Sequence, residues 1–175
     1  MYAGVIGLAI AASGTSLGNG FALDDLALVA GNSRVHSLDQ WWRLFALPYW
    51  PPQYGASLYR PVVTLGYALQ WIAGNGSPWV FHLASVALYV GVCVAVLALL
   101  LEIASPMGAV VGAALFAVHP VHVEAVANVV GQCELIAAVA RRAPPIRADR
   151  GRSSNSCSPG ARTGDDSGPT ATRPK

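Results

Sequence analysis

Long apolar runs separated by short polar turns dominate the pattern of this sequence. The longest run, residues 79–101, reads WVFHLASVALYVGVCVAVLALLL and contains no Asp, Glu, Lys or Arg. A helix of that length is long enough to cross the ~30 Å hydrocarbon core of a bilayer. Glu102 follows it directly and marks an interface with water. The pattern therefore predicts one membrane-spanning helix over 79–101.

Shorter apolar runs lie before and after this segment. Residues 1–18 predict a first span, clipped at its start, because a helix over 2–18 would reach only about 25 Å. A signal peptide is the alternative, although basic side chains before the apolar stretch are missing. Residues 103–118 predict a second span after a turn at Ser105-Pro106, and its Gly108-x-x-x-Gly112 spacing favours close helix packing.

Residues 119–140 predict an interfacial helix followed by the beginning of another span. Only six apolar residues separate Glu134 from Arg141, which is too few to cross a bilayer. The segment thus resembles a span that starts and does not finish, and a truncated or frameshifted reading of a longer protein is expected.

Residues 19–78 form a mixed segment rich in Trp and Tyr, rings that suit the headgroup layer of a membrane. Within it, 37–45 predicts a short helix with Ser37 as N-cap and Asp39 in the first turn. Residues 61–74 predict a second, with Pro61 at its first position and Gly74 at its end. Both are expected to lie along the membrane surface, in an outer loop.

Composition agrees with a membrane protein, since 54% of the residues are hydrophobic and 11% charged, against about 25% charged in soluble domains. Residues 141–175 differ: they hold eight of the eleven Lys and Arg residues, with much Pro, Gly and Ser, and predict a disordered tail. A basic tail belongs in the cytoplasm, and if residues 127–140 insert into the membrane, this places 19–78 outside. We regard it as an unstructured extension and expect no nucleic-acid partner.

The predicted fold class is an all-α integral membrane protein. It has about three to four transmembrane helices, an outer loop carrying interfacial helices and a disordered C-terminal tail. The segments are 1–18, 19–78, 79–140 and 141–175. The three cysteines, Cys93, Cys133 and Cys157, have no paired spacing and predict no disulfide framework.

Four stretches carry a resemblance to a known family. They are NGFALDDLALVAGNSRVHSL, LYRPVVTLGYALQW, FHLASVALYV and AALFAVHPVHVEAVANVVGQCELIAA. In this order they resemble the N-terminal part of the transmembrane O-mannosyltransferases that carry C-terminal tetratricopeptide repeats, polytopic glycosyltransferases of the GT-C superfamily. The resemblance covers roughly residues 15–140, and HPVHVEAVANVVG is its most specific part. Gln132 stands where the family usually carries an arginine, and the repeats and most spans are not present in this sequence.

The resemblance implies transfer of a mannose-like sugar from a polyprenyl-phosphate donor to Ser or Thr hydroxyls of an acceptor protein. By that analogy Asp24 and Asp25 are candidates for the catalytic base or a metal partner. The alternative is that both carboxylates cap a helix starting near Leu26. No cofactor is certain, and a divalent metal ion remains an option.

The remaining candidate substrate-binding residues are polar groups expected at the same outer face. Arg60 would pair with the donor phosphate, next to Tyr59, or else snorkel at the interface. His119, His122 and Glu124 would hydrogen-bond phosphate or sugar hydroxyls, or else cap a span. Their spacing does not match a zinc motif, so no metal ligand is assigned.

The sequence thus predicts part of a membrane glycosyltransferase, with membrane lipid, the lipid-linked sugar and an acceptor protein as partners. Its location would be the inner or plasma membrane in a bacterium, or the endoplasmic reticulum in a eukaryote, with the active face non-cytoplasmic. The chain alone is expected to be inactive. The alternative is a noncatalytic membrane module or a nonfunctional truncation product. A transporter fragment is disfavoured, because residues 83–101 show neither charges nor a break.

Overall fold

The computed structural model describes residues 1–55 and 58–142, and within these ranges the chain is helical and has no strand. Short 3₁₀ turns connect many of the helices, and Leu26–Ala30 forms a π-helical turn. The predicted disordered tail lies outside the described residues, except for its first two arginines, which end the last helix. The α-helices are α1 (Tyr2–Ser13), α2 (Pro61–Gly74), α3 (Pro78–Ile103), α4 (Pro106–Val118), α5 (Val123–Ala127) and α6 (Gln132–Arg142).

Helix α3 is the element on which the others pack. Pro78 occupies its first turn, where a missing N–H costs nothing, and the extended Ala104 ends it. Its 26 residues reach about 39 Å, and α1, α2, α4, α5 and α6 all contact it. The helix predicted over 79–101 is confirmed.

The number of membrane spans is not confirmed. Helix α1 has 12 residues, about 18 Å, before it tightens into the 3₁₀ turn Gly14–Gly18. Among the described residues α3 is the one helix long and apolar enough to cross a membrane. A second candidate arises only if Pro106–Val118 and Pro120–Ala127, which meet at a bend of 49°, are counted as one span.

Small side chains bring α4 close to the core. Ala109, Ala113 and Ala117 lie one turn apart on its buried face, and each is at most 1% exposed. A methyl group added at Gly112 would lie 3.0 Å from the Leu100 side chain of α3. The close packing predicted from the glycine spacing is therefore present, but the alanines provide most of the contact face.

A second apolar core forms where the outer loop meets α2 and the start of α3. Tyr67 and Ala68 of α2 pack there against Phe81 of α3. Helix α2 has the predicted bounds and ends at the left-handed Asn75. The other buried members of this core are Leu28, Val29, Val35, Leu44, Tyr49, Val63 and Val129.

The helix predicted over 37–45 is wrong in extent and capping. The segment forms only a 3₁₀ turn over Trp41–Phe45, which starts after Gln40, so Ser37 is not its N-cap and Asp39 precedes it. Bulky aromatic residues lose side-chain freedom in a helix, and only Leu44 of this turn is buried. Too few apolar contacts support a longer helix here.

The corner between α5 and α6 is tightly closed. Asn128 is extended, and the 3₁₀ turn Val129–Gly131 leads without a break into α6. At Gly131 an added Cβ would approach the backbone of Ala125, 2.7 Å from its carbonyl carbon and closer still to its oxygen. Only glycine fits this corner without a backbone shift.

We predict that Gly131→Ala destabilises the folded chain by about 1–3 kcal/mol, because the obstacle is backbone rather than a flexible side chain. Thermal unfolding in detergent micelles, followed by circular dichroism, measures the effect. Gly14→Ala is the matched control, since Gly14 also lies in a 3₁₀ turn and nothing stands within 4 Å of its added Cβ. Equal melting temperatures for the two variants would contradict this prediction.

We also predict that Ala113→Leu loosens the packing of α4 on α3 and costs about 1–3 kcal/mol through overpacking. Val111→Leu on the same helix is the control, because Val111 is 50% exposed. The same unfolding measurement should show a clear loss for the first variant and little change for the second.

Candidate functional site

The site begins with a tight turn over residues 22–25. The Asp25 N–H donates to the Ala22 carbonyl at 2.9 Å, and the Ala22 N–H points back to Asp25 Oδ2 at 3.4 Å. Between them Leu23 adopts the left-handed conformation, with φ of 50°, although its side chain is 78% exposed. Such a backbone is unfavourable for leucine and persists only where surrounding contacts enforce it.

The Asp25 carboxylate supplies those contacts. It is fully buried, and its Oδ1 and Oδ2 accept the N–H groups of Val130 and Val129 at 2.9 and 3.1 Å. These N–H groups open the 3₁₀ turn that continues into α6, so they lack partners within the helix. A carboxylate at a helix N-terminus also interacts favourably with the helix dipole. Asp25 thus caps a helix 104 residues away in sequence.

The predicted capping of a helix near Leu26 takes a different form. Asp25 precedes the π-helical turn Leu26–Ala30, but its side chain makes no capping hydrogen bond there. Its neighbour Asp24 is exposed. The two adjacent carboxylates therefore have different environments, one committed to backbone N–H groups and one open to solvent.

Asp24 and Asp25 border a cavity of about 340 Å³, here called the acidic cavity. The structure brings Arg60 and Glu124 to the same cavity, as the sequence predicted for one outer face. Three polar residues not predicted for the site, Asn128, Cys133 and Glu134, also border it. The remaining lining residues are Leu23, Ala125, Val130 and Gly131.

Arg60 is held in place at the start of α2, directly before Pro61. Its Nη1 donates to the Cys133 Sγ at 2.9 Å, and its guanidinium carbon lies 5.5 Å from the centre of the Tyr49 ring. Neither a thiol nor an aromatic ring neutralises a positive charge, so the half-buried guanidinium remains able to bind an anion.

The Tyr49 ring that contacts Arg60 is itself hydrogen-bonded to Tyr67. The hydroxyls of Tyr49 and Tyr67 lie 3.1 Å apart, and Tyr67 donates to the Val129 carbonyl at 3.4 Å. Burial raises the pKa of both phenols, so both stay neutral and remain hydrogen-bond donors. The ring under Arg60 is thereby connected to the segment that Asp25 caps.

Three predicted residues lie outside the acidic cavity. Tyr59 is exposed and donates to the Phe45 carbonyl at 2.6 Å. His119 and His122 border a separate cavity of about 200 Å³, here called the histidine cavity, together with Ser13 and Ser16 near the end of α1. The His119 Nδ1 accepts the Val121 N–H at 3.2 Å, and the His122 ring lies 4.2 Å from that of Phe116.

Gln132 is a buried polar centre behind the site. Its side chain is 1% exposed, and its amide nitrogen donates to the Phe81 carbonyl at 2.9 Å and to the Ser85 hydroxyl at 3.1 Å. Gln70 and Gln132 also exchange two hydrogen bonds, at 2.9 and 3.0 Å. These contacts join α2, α3 and α6 without any charge, at the position where the sequence resemblance leads one to expect arginine.

The additional lining residues left only weak signals in the sequence. Glu134 interrupts an apolar run, whereas Asn128 and Cys133 have no distinguishing spacing. In the part of the chain that the structure describes, no group of three or more His, Cys, Asp or Glu side chains is arranged to hold a metal ion. A divalent metal stays a prediction from the sequence.

Comparison with known proteins gives a consistent result. No family model and no solved structure matches the chain. Among curated proteins it is 38% identical over 134 residues to protein O-mannosyl-transferase Tmtc2 of Drosophila melanogaster, which covers 71% of this chain and 14% of the relative. It is 33% identical over 145 residues to Tmtc1 of the same organism, covering 78% and 16%. It is 29% identical over 139 residues to TMTC3 of Homo sapiens, covering 77% and 15%.

The chain therefore spans only a small part of the length of these relatives. The matched part nevertheless accounts for most of this chain, and all three relatives are named protein O-mannosyl-transferases. The family that the sequence resemblance indicated is the one found. The chain belongs to the TMTC family of protein O-mannosyl-transferases.

Proposed function

We propose that this chain contributes the acidic cavity to a membrane glycosyltransferase that moves mannose, or a similar sugar, from a polyprenyl-phosphate donor to a protein Ser or Thr hydroxyl. The names of the relatives support protein O-mannosyl transfer. The observation that carries the proposal is the meeting of Asp24, Arg60 and Glu124 around one cavity of about 340 Å³.

Asp24 is the better candidate for the general base. The acceptor hydroxyl must lose a proton as its oxygen attacks the anomeric carbon, and the bond to the donor phosphate breaks. Both Asp25 oxygens already accept backbone N–H groups, whereas the Asp24 carboxylate is exposed at the cavity. In this assignment Asp24 receives the proton and Asp25 is a positioning residue that fixes the turn carrying it.

Arg60 would bind the leaving phosphate. Charge builds on that group as the glycosidic bond breaks, and a guanidinium stabilises it through paired hydrogen bonds. The thiol and the Tyr49 ring orient Arg60 without neutralising it. Glu124 and Glu134, both exposed at the same cavity, would accept hydrogen bonds from sugar hydroxyls.

The remaining predicted residues would act further from the reacting atoms. His119 and His122 border the mostly apolar histidine cavity and would offer their ring nitrogens to a hydroxyl of the acceptor or donor there. Tyr59 would stay outside the acidic cavity, held by its hydrogen bond to the Phe45 carbonyl. The active face would be non-cytoplasmic, with α3 in the membrane.

We predict that Asp24→Asn lowers transfer by about 100- to 10,000-fold, the usual contribution of a positioned base. Because the chain spans 14% of Drosophila Tmtc2, the test places residues 1–140 of this chain in that relative in exchange for the matching segment. Transfer of labelled mannose from a polyprenyl-phosphate donor to a Ser/Thr peptide is then measured in membranes.

Asp39→Asn in the same chimera is the control, since Asp39 is an exposed carboxylate of the same loop that borders a different cavity. Full activity of Asp24→Asn would exclude Asp24 as the base. An inactive but normally folded parent chimera would instead favour the alternative of a noncatalytic membrane module.

For Asp25 the expected effect is on stability. Asp25→Asn keeps one acceptor oxygen but loses the other acceptor and the charge, so we expect a loss of about 1.5–3 kcal/mol, as for a charge-assisted hydrogen bond. Thermal unfolding of the full chain in micelles measures it, with Asp24→Asn as the adjacent control. A melting temperature of Asp25→Asn equal to that of the control would contradict the proposed capping.

A further inference from the structure

The outer loop contains a third cavity, of about 410 Å³, that the proposed reaction does not use. It shares no residue with the acidic cavity or the histidine cavity. We call it the arginine cavity because the guanidinium groups of two arginines border it. Its lining residues are Ser33, Arg34, Ser37, Asp39, Gln40, Arg43, Leu44 and Leu47.

Arg34 is fixed in this cavity but is not saturated. Its Nε donates to the Asn32 Oδ1 at 3.0 Å and its Nη1 to the Pro48 carbonyl at 3.2 Å. Its Nη2 is buried and has no hydrogen-bond partner among the described residues. Leaving a charged donor unsatisfied is costly, so this atom indicates an acceptor that residues 1–55 and 58–142 do not supply.

The charges around Arg34 favour an anion. Asn32 and Pro48 offer only neutral acceptors, and burial lowers the pKa of the Arg34 guanidinium, as expected when no counter-charge compensates it. Arg43 adds a second, exposed positive charge to the same cavity, and Asp39 a negative one. The balance of the three charges is positive by one.

Exposed aromatic side chains lie on the 3₁₀ turn that also carries the lining residues Arg43 and Leu44. Trp41 and Trp42 are 50% and 57% exposed, and Phe45 is 41% exposed. Tryptophan is enriched at the membrane–water interface, where its apolar ring and its N–H both find suitable surroundings. Rings of this kind beside two arginines match a surface that is apolar and anionic at once, which is the chemistry of an anionic bilayer.

We propose that the arginine cavity binds the phosphate of an anionic phospholipid headgroup, with Trp41, Trp42 and Phe45 inserted at the interface beside it. The guanidinium groups of Arg34 and Arg43 donate to the phosphate oxygens, and Ser33 and Ser37 border the same space. The lipid anchors the outer loop to the membrane surface. This inference does not depend on the sugar-transfer chemistry, since no residue of the acidic cavity takes part.

The experiment uses the full chain in nanodiscs made of phosphatidylcholine with a minor, fixed fraction of phosphatidylglycerol. Bromine atoms on the acyl chains are placed either on the phosphatidylglycerol or on an equal fraction of the phosphatidylcholine, and quenching of tryptophan fluorescence is compared. We expect stronger quenching by brominated phosphatidylglycerol, because the anionic lipid is enriched beside Trp41 and Trp42. The double variant Trp41→Phe, Trp42→Phe should lose this excess.

Charge variants test whether the arginine cavity causes the preference for the anionic lipid. Arg34→Gln and Arg43→Gln should each weaken the preference for the anionic lipid by about fivefold, which corresponds to about 1 kcal/mol per basic residue near an anionic surface. Asp39→Asn should strengthen the preference, since it removes the opposing charge. Arg43 and Asp39 are both exposed, so their variants are expected to fold even if Arg34→Gln does not.

Two results would overturn the proposal. One is equal quenching by the two brominated lipids, or a preference that Arg43→Gln and Asp39→Asn leave unchanged. The other is loss of the excess quenching when inorganic phosphate replaces chloride at constant ionic strength, which would assign the cavity to a soluble anion instead of a lipid.

Discussion

The contact between the Asp25 carboxylate and the N–H groups of Val129 and Val130 is the constraint on which the site depends. A buried carboxylate is tolerable only if its oxygens are satisfied, and the first N–H groups of a helix are donors in need of an acceptor. The carboxylate and the N–H groups therefore satisfy each other's need for a hydrogen-bond partner. The strained Leu23 and the exposed Asp24 then follow as consequences of where Asp25 must stay.

Helix α3 positions the start of α6, which borders the acidic cavity. Its first half carries Phe81 and Ser85, which receive the Gln132 amide and thereby locate the start of α6. Farther along the same helix, α1 and the alanine face of α4 pack in an apolar core. Polar contacts thus fix register near the cavity, whereas non-directional packing supports the rest. This division matches general physics, because hydrogen bonds specify geometry and apolar burial provides most of the driving force.

The sequence predicted the helices whose apolar runs are long and whose ends carry proline or glycine, as α2 and α3 show. It overestimated 37–45, where the capping signals of Ser37 and Asp39 favoured a helix that tertiary contacts do not support. Asp24, Asp25, Arg60 and Glu124, which it expected at one outer face, border one cavity. The sequence did not predict which of the two aspartates is buried. That difference arises from backbone N–H groups of Val129 and Val130, and backbone donors leave no trace in side-chain identity. The separate place of His119 and His122 arises from the bend after α4 and is likewise a tertiary property.

The distance in sequence between Asp25 and its N–H donors, Val129 and Val130, has a consequence for biosynthesis. At about 5–20 residues per second, the ribosome needs roughly 5–20 s to produce the 104 residues that separate Asp25 from Val129. Closing a loop of that length costs about 4 kcal/mol of chain entropy. Throughout this interval the turn around Leu23 lacks the contact that enforces its conformation. The first outer loop therefore leaves the ribosome well before the turn around Leu23 can be held in its final conformation. The acidic cavity forms only after the α5–α6 corner has emerged.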